Sequence, residues 1–284
     1  MLIAKNLCKH PHRPLLDAEL NVEMRQRTKS KGITMKNNAA AILLFWTLSS
    51  VFYAHGETPE LKGPYLGQKP PSLTPELFAP GVVATDKYRE TEVLFLPDMT
   101  ELSFTRSGGE YKEPTWFVMQ YKDDRWSRKF VASTEINEYK ERFSPSVSKI
   151  KRLDPFKDIP IVGFTTSAKG THYFYALDFT DGSGHMSYSR LVDGKYEAPK
   201  KMSQAINRGK YIAHPYIAPD ESYLMWDAEK VDENTPDIYI SFRQQDGSWG
   251  EAINMGDTIN TEAYEQRPKV SPDGKYLFFW RGDR

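Results

Sequence analysis

Apolar residues fall in short runs separated by polar turns, most clearly between Pro215 and Gly256. There a turn at Ala218-Pro219-Asp220 precedes Tyr223-Leu224-Met225-Trp226, and Asp237-Ile238-Tyr239-Ile240-Ser241 leads to Asp246-Gly247-Ser248-Trp249. Runs this short, rich in β-branched and aromatic residues and bounded by Pro, Asp and Gly, predict strands. Ser271-Pro272-Asp273-Gly274 reads as a type I turn, with proline presetting φ and glycine taking the left-handed residue that follows. It joins a strand over 268–271 to one over 275–280. In the latter Tyr276, Phe278 and Trp280 alternate with Leu277 and Phe279, so both faces are apolar, the mark of a strand buried on both sides. Asp246-Gly247 predicts a tight hairpin into a strand beginning at Trp249.

The phrase repeats. One unit begins with 93–106 and 116–130, a second with 166–178 and 186–200, a third is the stretch just described, and a fourth opens at 267–280. The turn positions Pro97, Ala168, Pro219 and Pro272 are 71, 51 and 53 residues apart, and the aromatics Trp126, Tyr196 and Trp249 follow 29, 28 and 30 residues after their turns. Two markers holding one register establish a repeat. The longer first interval places an inserted loop at 142–159. Four short antiparallel strands in about 50 residues, apolar on both faces and without a helix of useful length, predict an all-β fold, a β-propeller of four-stranded blades. Three full units and the start of a fourth are visible. The interrupted repeat favours a C-terminal truncation, the alternative being that residues 57–90 supply the closing strands.

The Ser-Pro-Asp-Gly-Lys-Tyr-Leu-Phe-Phe phrase at 271–279, the Asp-Ile-Tyr-Ile-Ser phrase and the Asp-Gly-Ser-Trp phrase resemble the WD-like repeat of TolB-like β-propellers, common in secreted bacterial proteins. The likeness spans roughly Thr91 to Arg284. Met99 and Glu221 stand where the pattern has glycine, and 167–170 keeps only its serine and glycine, so those turns need a non-glycine residue at positive φ or another geometry. The resemblance implies a propeller, of six blades in the commonest members, used for binding or for housing lyase and hydrolase sites.

Charge changes the picture only near the N-terminus. The 284 residues carry 38 basic and 38 acidic side chains, but 57–284 hold 30 and 35 of them, a net of −5. A mildly acidic body without a basic stripe excludes nucleic acid as the expected partner. Met35-Lys36-Asn37-Asn38, the apolar run 39–48 and Ala54-His55-Gly56 read as a signal peptide over 35–56, with 1–34 an upstream extension. The single cysteine, Cys8, precedes it, so no disulfide is expected in the body. The predicted organisation is 1–34 extension, 35–56 signal peptide, 57–90 proline-rich lead-in and 91–284 propeller repeats, exported to the periplasm or outside the cell with no membrane span after cleavage. In the lead-in, Thr74-Pro75-Glu76 suits one helical turn.

Little chemistry is legible. His172, His185 and His214 show no metal-ligand spacing, so no metal or other cofactor is expected. His214, before Pro215, reads as a loop residue. No nucleophile elbow occurs, no catalytic residue can be assigned, and the acidic run 227–233 reads as a solvated face. Eight to ten residues after the turns stand Arg106, Asp178, Asp227 and Arg281, which the repeat register would deliver to one rim as ligand-binding candidates. Trp126, Tyr196, Trp249, Tyr239 and Trp280 read as core between blades. The expected function is a non-catalytic binding or scaffold module engaging an envelope or extracellular protein, or a glycan, at one rim. The alternative is a polysaccharide- or peptide-active enzyme there, which a histidine with a carboxylate would mark.

Overall fold

A computed structural model describes residues 1–6, 61–132, 134–181, 183–229 and 235–282. The signal-like segment 35–56 lies outside them. The described residues form one compact unit. Its strands are β1 (Leu2–Lys5), β2 (Glu76–Leu77), β3 (Arg89–Phe95), β4 (Glu101–Gly108), β5 (Tyr111–Lys122), β6 (Arg125–Lys129), β7 (Ile161–Thr166), β8 (His172–Leu177), β9 (Gly184–Ser189), β10 (Leu191–Val192), β11 (Lys195–Tyr196), β12 (Lys200–Lys201), β13 (Lys210–Ile217), β14 (Tyr223–Glu229), β15 (Pro236–Phe242), β16 (Ile253–Asn254), β17 (Tyr264–Val270) and β18 (Tyr276–Gly282). Two short helices, α1 (Ile136–Lys140) and α2 (Val147–Ile150), lie between β6 and β7, the second inside the predicted insertion.

The strands make four antiparallel sheets: β3-β4-β5-β6, β7-β8-β9-β12, β13-β14-β15-β16 and β17-β18-β1-β2, with β10 and β11 a small separate ribbon. First strands pack on first strands from blade to blade, β7 on β13, β13 on β17 and β17 on β3. The architecture is a four-bladed β-propeller. The second strands bury their central apolar runs, as their doubly apolar sequences require; Phe174, Leu224, Trp226, Phe278 and Phe279 are nearly inaccessible. Trp126 and Trp280 are buried in the core, while Tyr196, Trp249 and Tyr239 pack half-buried against it. In the third blade Trp249 makes only an isolated bridge to Arg243, and the outer strand starts later, at Ile253.

The turns keep one geometry despite their differing sequences. Met99, Gly170, Glu221 and Gly274, each two residues past the turn marker, have φ of 59°, 82°, 64° and 70°. Glu221 tolerates this because its buried carboxylate accepts the Ser167 hydroxyl at 2.8 Å. In the second blade the turn is one residue tighter: Ser167 N–H bonds to Thr171 O, whereas Ala218 N–H reaches Tyr223 O.

The fourth blade takes strands from outside the repeats. β1 pairs with β18 through Leu2↔Phe279 to Lys5↔Tyr276, and β2 pairs with β1. Residues 1–34, read from sequence as an upstream extension, thus place Leu2–Lys5 inside a sheet, with Ile3 fully buried. Thr74-Pro75-Glu76 does not make the predicted helical turn, because Glu76 and Leu77 take an extended pairing with Ile3 and Leu2 instead. The lead-in also lies along the first blade: Lys62 bridges Arg125, and Trp126 Nε1 donates to Gly63 O at 2.7 Å. It therefore spans the seam between blades four and one, where Phe78 and Val83 are buried.

Candidate functional site

Each first strand carries a bulge near its middle, where its register against the second strand shifts: between Thr91 and Leu94, Ile161 and Gly163, Ala213 and Tyr216, and Gln266 and Lys269. A bulge re-aims a side chain that regular pleating would otherwise place by alternation. Five residues before each turn marker stand Glu92, Gly163, His214 and Arg267, spaced by the same 71, 51 and 53 residues as the turns. The three that are not glycine have φ of 60°, 45° and 59°, a left-handed backbone that costs roughly 1–2 kcal/mol per residue with a side chain. All four line one cavity of about 390 Å³, joined by Tyr175 and Lys269 and walled by Ser144, Pro145 and Val147 of the insertion. The cavity lies among the four first strands, the strands that in a propeller face the central channel.

Its polar groups are tied to one another across blades. Asp227, only 1% exposed, accepts from His214 Nδ1 at 2.9 Å and 3.1 Å and from the Arg267 backbone N–H at 2.9 Å. An ionised carboxylate only accepts, so Nδ1 is the donor of this contact and Nε2 is left for other partners. The Arg267 guanidinium forms an ion pair with Glu92, joining blades four and one. The Tyr175 ring lies 6.1 Å from the His214 ring, centre to centre. Burial raises the Tyr175 phenol above its ordinary range, with Asp227 adding to the effect. Burial lowers the Lys269 ammonium, opposed by Glu92 and Asp227. Among the described residues no group of three or more His, Cys, Asp or Glu side chains could hold a metal ion.

Gly163 is what lets Tyr175 take its place. A Cβ built there would lie 2.6 Å from Tyr175 Cε1, so Gly163→Ala must push the ring toward the cavity. We expect a loss of about 1–3 kcal/mol, the usual cost of overpacking, and weaker binding of any channel ligand. Urea unfolding and titration of the variant check both; an unchanged midpoint would refute the packing argument.

The four residues read from the register do not converge. Arg106 donates from Nε to Glu90 at 3.0 Å and from Nη2 to Val82 O at 3.0 Å. Arg281 does the same with Glu265 at 2.7 Å and Ile259 O at 2.8 Å. Glu90 and Glu265 also accept from Thr85 and Thr261, through the backbone N–H and the hydroxyl of each. Both arginines are thus engaged inside their own blades. Asp178 caps an exposed turn, accepting from Thr180 N–H and hydroxyl. Asp227 alone touches the cavity's lining, behind it, through the His214 ring and the Arg267 backbone N–H. It stands one residue earlier in its strand than the arginines do in theirs, and neighbours in a strand face opposite ways. His214 is not the loop residue expected from its proline neighbour but sits within β13, held by the bulge. Tyr175 and Lys269 were missed. The Asp227 place in the second blade falls to Tyr175, because the tighter turn shortens the count by one.

The fold and this channel site together define a four-bladed β-propeller with a polar central cavity. No family profile and no curated protein matches the chain. Solved structures similar to it include TolB from Acinetobacter baumannii, at 14% identity and TM-score 0.32, covering 69% of this chain and 38% of that one. A prolyl endopeptidase studied for inter-domain dynamics is similar at 12% identity and TM-score 0.32, covering 69% of this chain and 26% of that one. A post-proline cleaving enzyme from Rickettsia typhi is similar at 9% identity and TM-score 0.28, covering 72% and 34%. This chain therefore spans well under half the length of each. Likenesses this loose bear on neither activity nor partner, and the fold stands on its sheet topology. Among the described residues no helix is long and apolar enough to cross a membrane.

Proposed function

We propose that this is a binding propeller whose site is the channel mouth, taking a small polar molecule or the end of a glycan or peptide chain. One observation carries the reading. Four repeats that hold the same turn and core positions put a carboxylate, a glycine, an imidazole and a guanidinium at one bulge position facing a shared cavity, three of them at a strained backbone. Strain of this kind gathers where function requires a fixed side-chain direction, and a concave cavity with convergent polar groups is the usual ligand site. The exported setting, with an envelope or extracellular partner, belongs to this proposal on the strength of the signal-like segment 35–56.

A second reading, that the channel is catalytic, is favoured by the His214–Asp227 pair. A buried carboxylate orienting an imidazole is the arrangement of a general base, with Tyr175 a neighbouring proton donor. The two readings separate in one experiment. The full chain and His214→Asn are incubated with envelope and plant oligosaccharides and short peptides, following unfolding temperature and product masses. We expect a ligand that raises the melting temperature of the native chain and loses that effect in His214→Asn, with no new masses. New masses that vanish in the variant establish the enzyme instead. A ligand whose stabilisation is indifferent to His214→Asn places the site elsewhere.

A further inference from the structure

We infer that the channel cavity takes its ligand by a carboxylate group, seated on Lys269 Nζ with the Arg267 donors that Glu92 leaves over. The inference rests on the binding reading above and names the chemistry of that site.

Asp227 is engaged by the His214 ring and the Arg267 backbone N–H, and Glu92 by the Arg267 guanidinium. Both carboxylates therefore have partners. Lys269 makes no hydrogen bond or ion pair at contact distance among the described residues; Glu92 and Asp227 act on its ammonium only through space, and the Tyr216 ring centre lies 5.8 Å from Nζ. A half-buried ammonium whose donors lack a protein acceptor at contact distance is a place where an entering anion gains hydrogen bonds. Lys269 lines the cavity beside Arg267, and a carboxylate entering there would accept charge-assisted hydrogen bonds from both. The remaining polar groups, Tyr175 Oη and His214 Nε2, can hydrogen-bond hydroxyl or amide groups on the rest of the ligand. At about 390 Å³ the cavity matches one sugar ring or a dipeptide, near the lower end of the range for ligand sites. A uronic acid and a peptide C-terminus offer the same carboxylate, and the test separates them.

The full chain is titrated calorimetrically with sodium galacturonate against galactose, and with glycyl-leucine against glycyl-leucinamide. In at least one pair the acid is expected to bind about tenfold or more tightly than its neutral partner, and that pair identifies the source. Lys269→Met, which keeps the apolar stem, is expected to erase the preference while leaving weak neutral binding in place. The inference is overturned if neither acid outbinds its partner, or if the preference survives in Lys269→Met. The native acid-to-neutral ratio decides alone should the variant fail to fold. If galactose or the amide binds as well as its acid, and His214→Asn weakens that binding, the carboxylate inference fails while the channel reading stands.

Discussion

Replacing Glu265 by leucine is expected to cost about 3–5 kcal/mol of folding stability, because it leaves the Arg281 cation in a desolvated setting without its counter-charge. Glu265 is fully buried and accepts from Thr261 N–H, the Thr261 hydroxyl and Arg281 Nε. Its loss also strands the Thr261 N–H. Breaking such a pair costs more than the pair contributes, since a well-packed apolar replacement of both partners is often neutral. The molecule contains its own control. At the positions equivalent to Glu265 and Arg281, the second blade has Ile161 and Ala176 and the third has Ile212 and Ala228, all buried. The double substitution Glu265→Leu with Arg281→Met should therefore recover most of what Glu265→Leu loses. Urea unfolding midpoints at constant m-value measure both. A double variant as unstable as the single one would show that the pair is not the cause.

The second large effect is a loss of stability in mild acid through His172. This ring is buried, stacked 4.5 Å from Tyr196, with Nδ1 2.8 Å from the Thr166 hydroxyl. Burial depresses its pKa from 6.5 to about 4. The unfolded chain takes up the proton first, so the stability is fully present above pH 6.5 and falls as pH drops toward about 4, where the loss levels off. The size is about 3 kcal/mol at 1.36 kcal/mol per pKa unit. The native chain minus His172→Phe is the quantity to follow, because carboxylates titrate in both and cancel. Comparing unfolding free energies at pH 7.5 and 4.5, the difference should shift against the native chain by a kcal/mol or more. Parallel curves would mean that His172 is accessible to protons in the folded state.

The first three blades were legible in the sequence because each is closed locally. Turn chemistry at Pro97, Pro219 and Pro272 and doubly apolar runs such as 276–280 report on neighbours a few residues away. The left-handed turn residue survived even where Met99 and Glu221 replace glycine, so register outweighed local preference there. The channel was not legible for two reasons. A bulge is a property of two paired strands, and nothing in Ala213-His214-Pro215 alone marks His214 as re-aimed. Counting forward from the turn also failed in the second blade, whose tighter turn hides the equivalence of Tyr175 with Asp227. Counting backward would have succeeded, since Glu92, Gly163, His214 and Arg267 keep the turn spacing without a slip. Lys269 looked like any polar strand residue, because what distinguishes it is the engagement of its neighbours' charges. β1 was invisible for a different reason: its four residues pair with β18, more than 270 positions away, and two of them with β2 across the sequence between.

That strand sets two fates of the chain against each other. Cleavage after Gly56 would separate Leu2–Lys5 covalently from the body, and with it the middle seat between β18 and β2. A processed molecule would then present the backbone donors and acceptors of β18 as an open edge, the kind that recruits a strand from elsewhere. Processing at that site and self-completion of the fourth blade would thus be alternatives for one polypeptide, and N-terminal sequencing of the protein isolated from its natural source tells which has occurred.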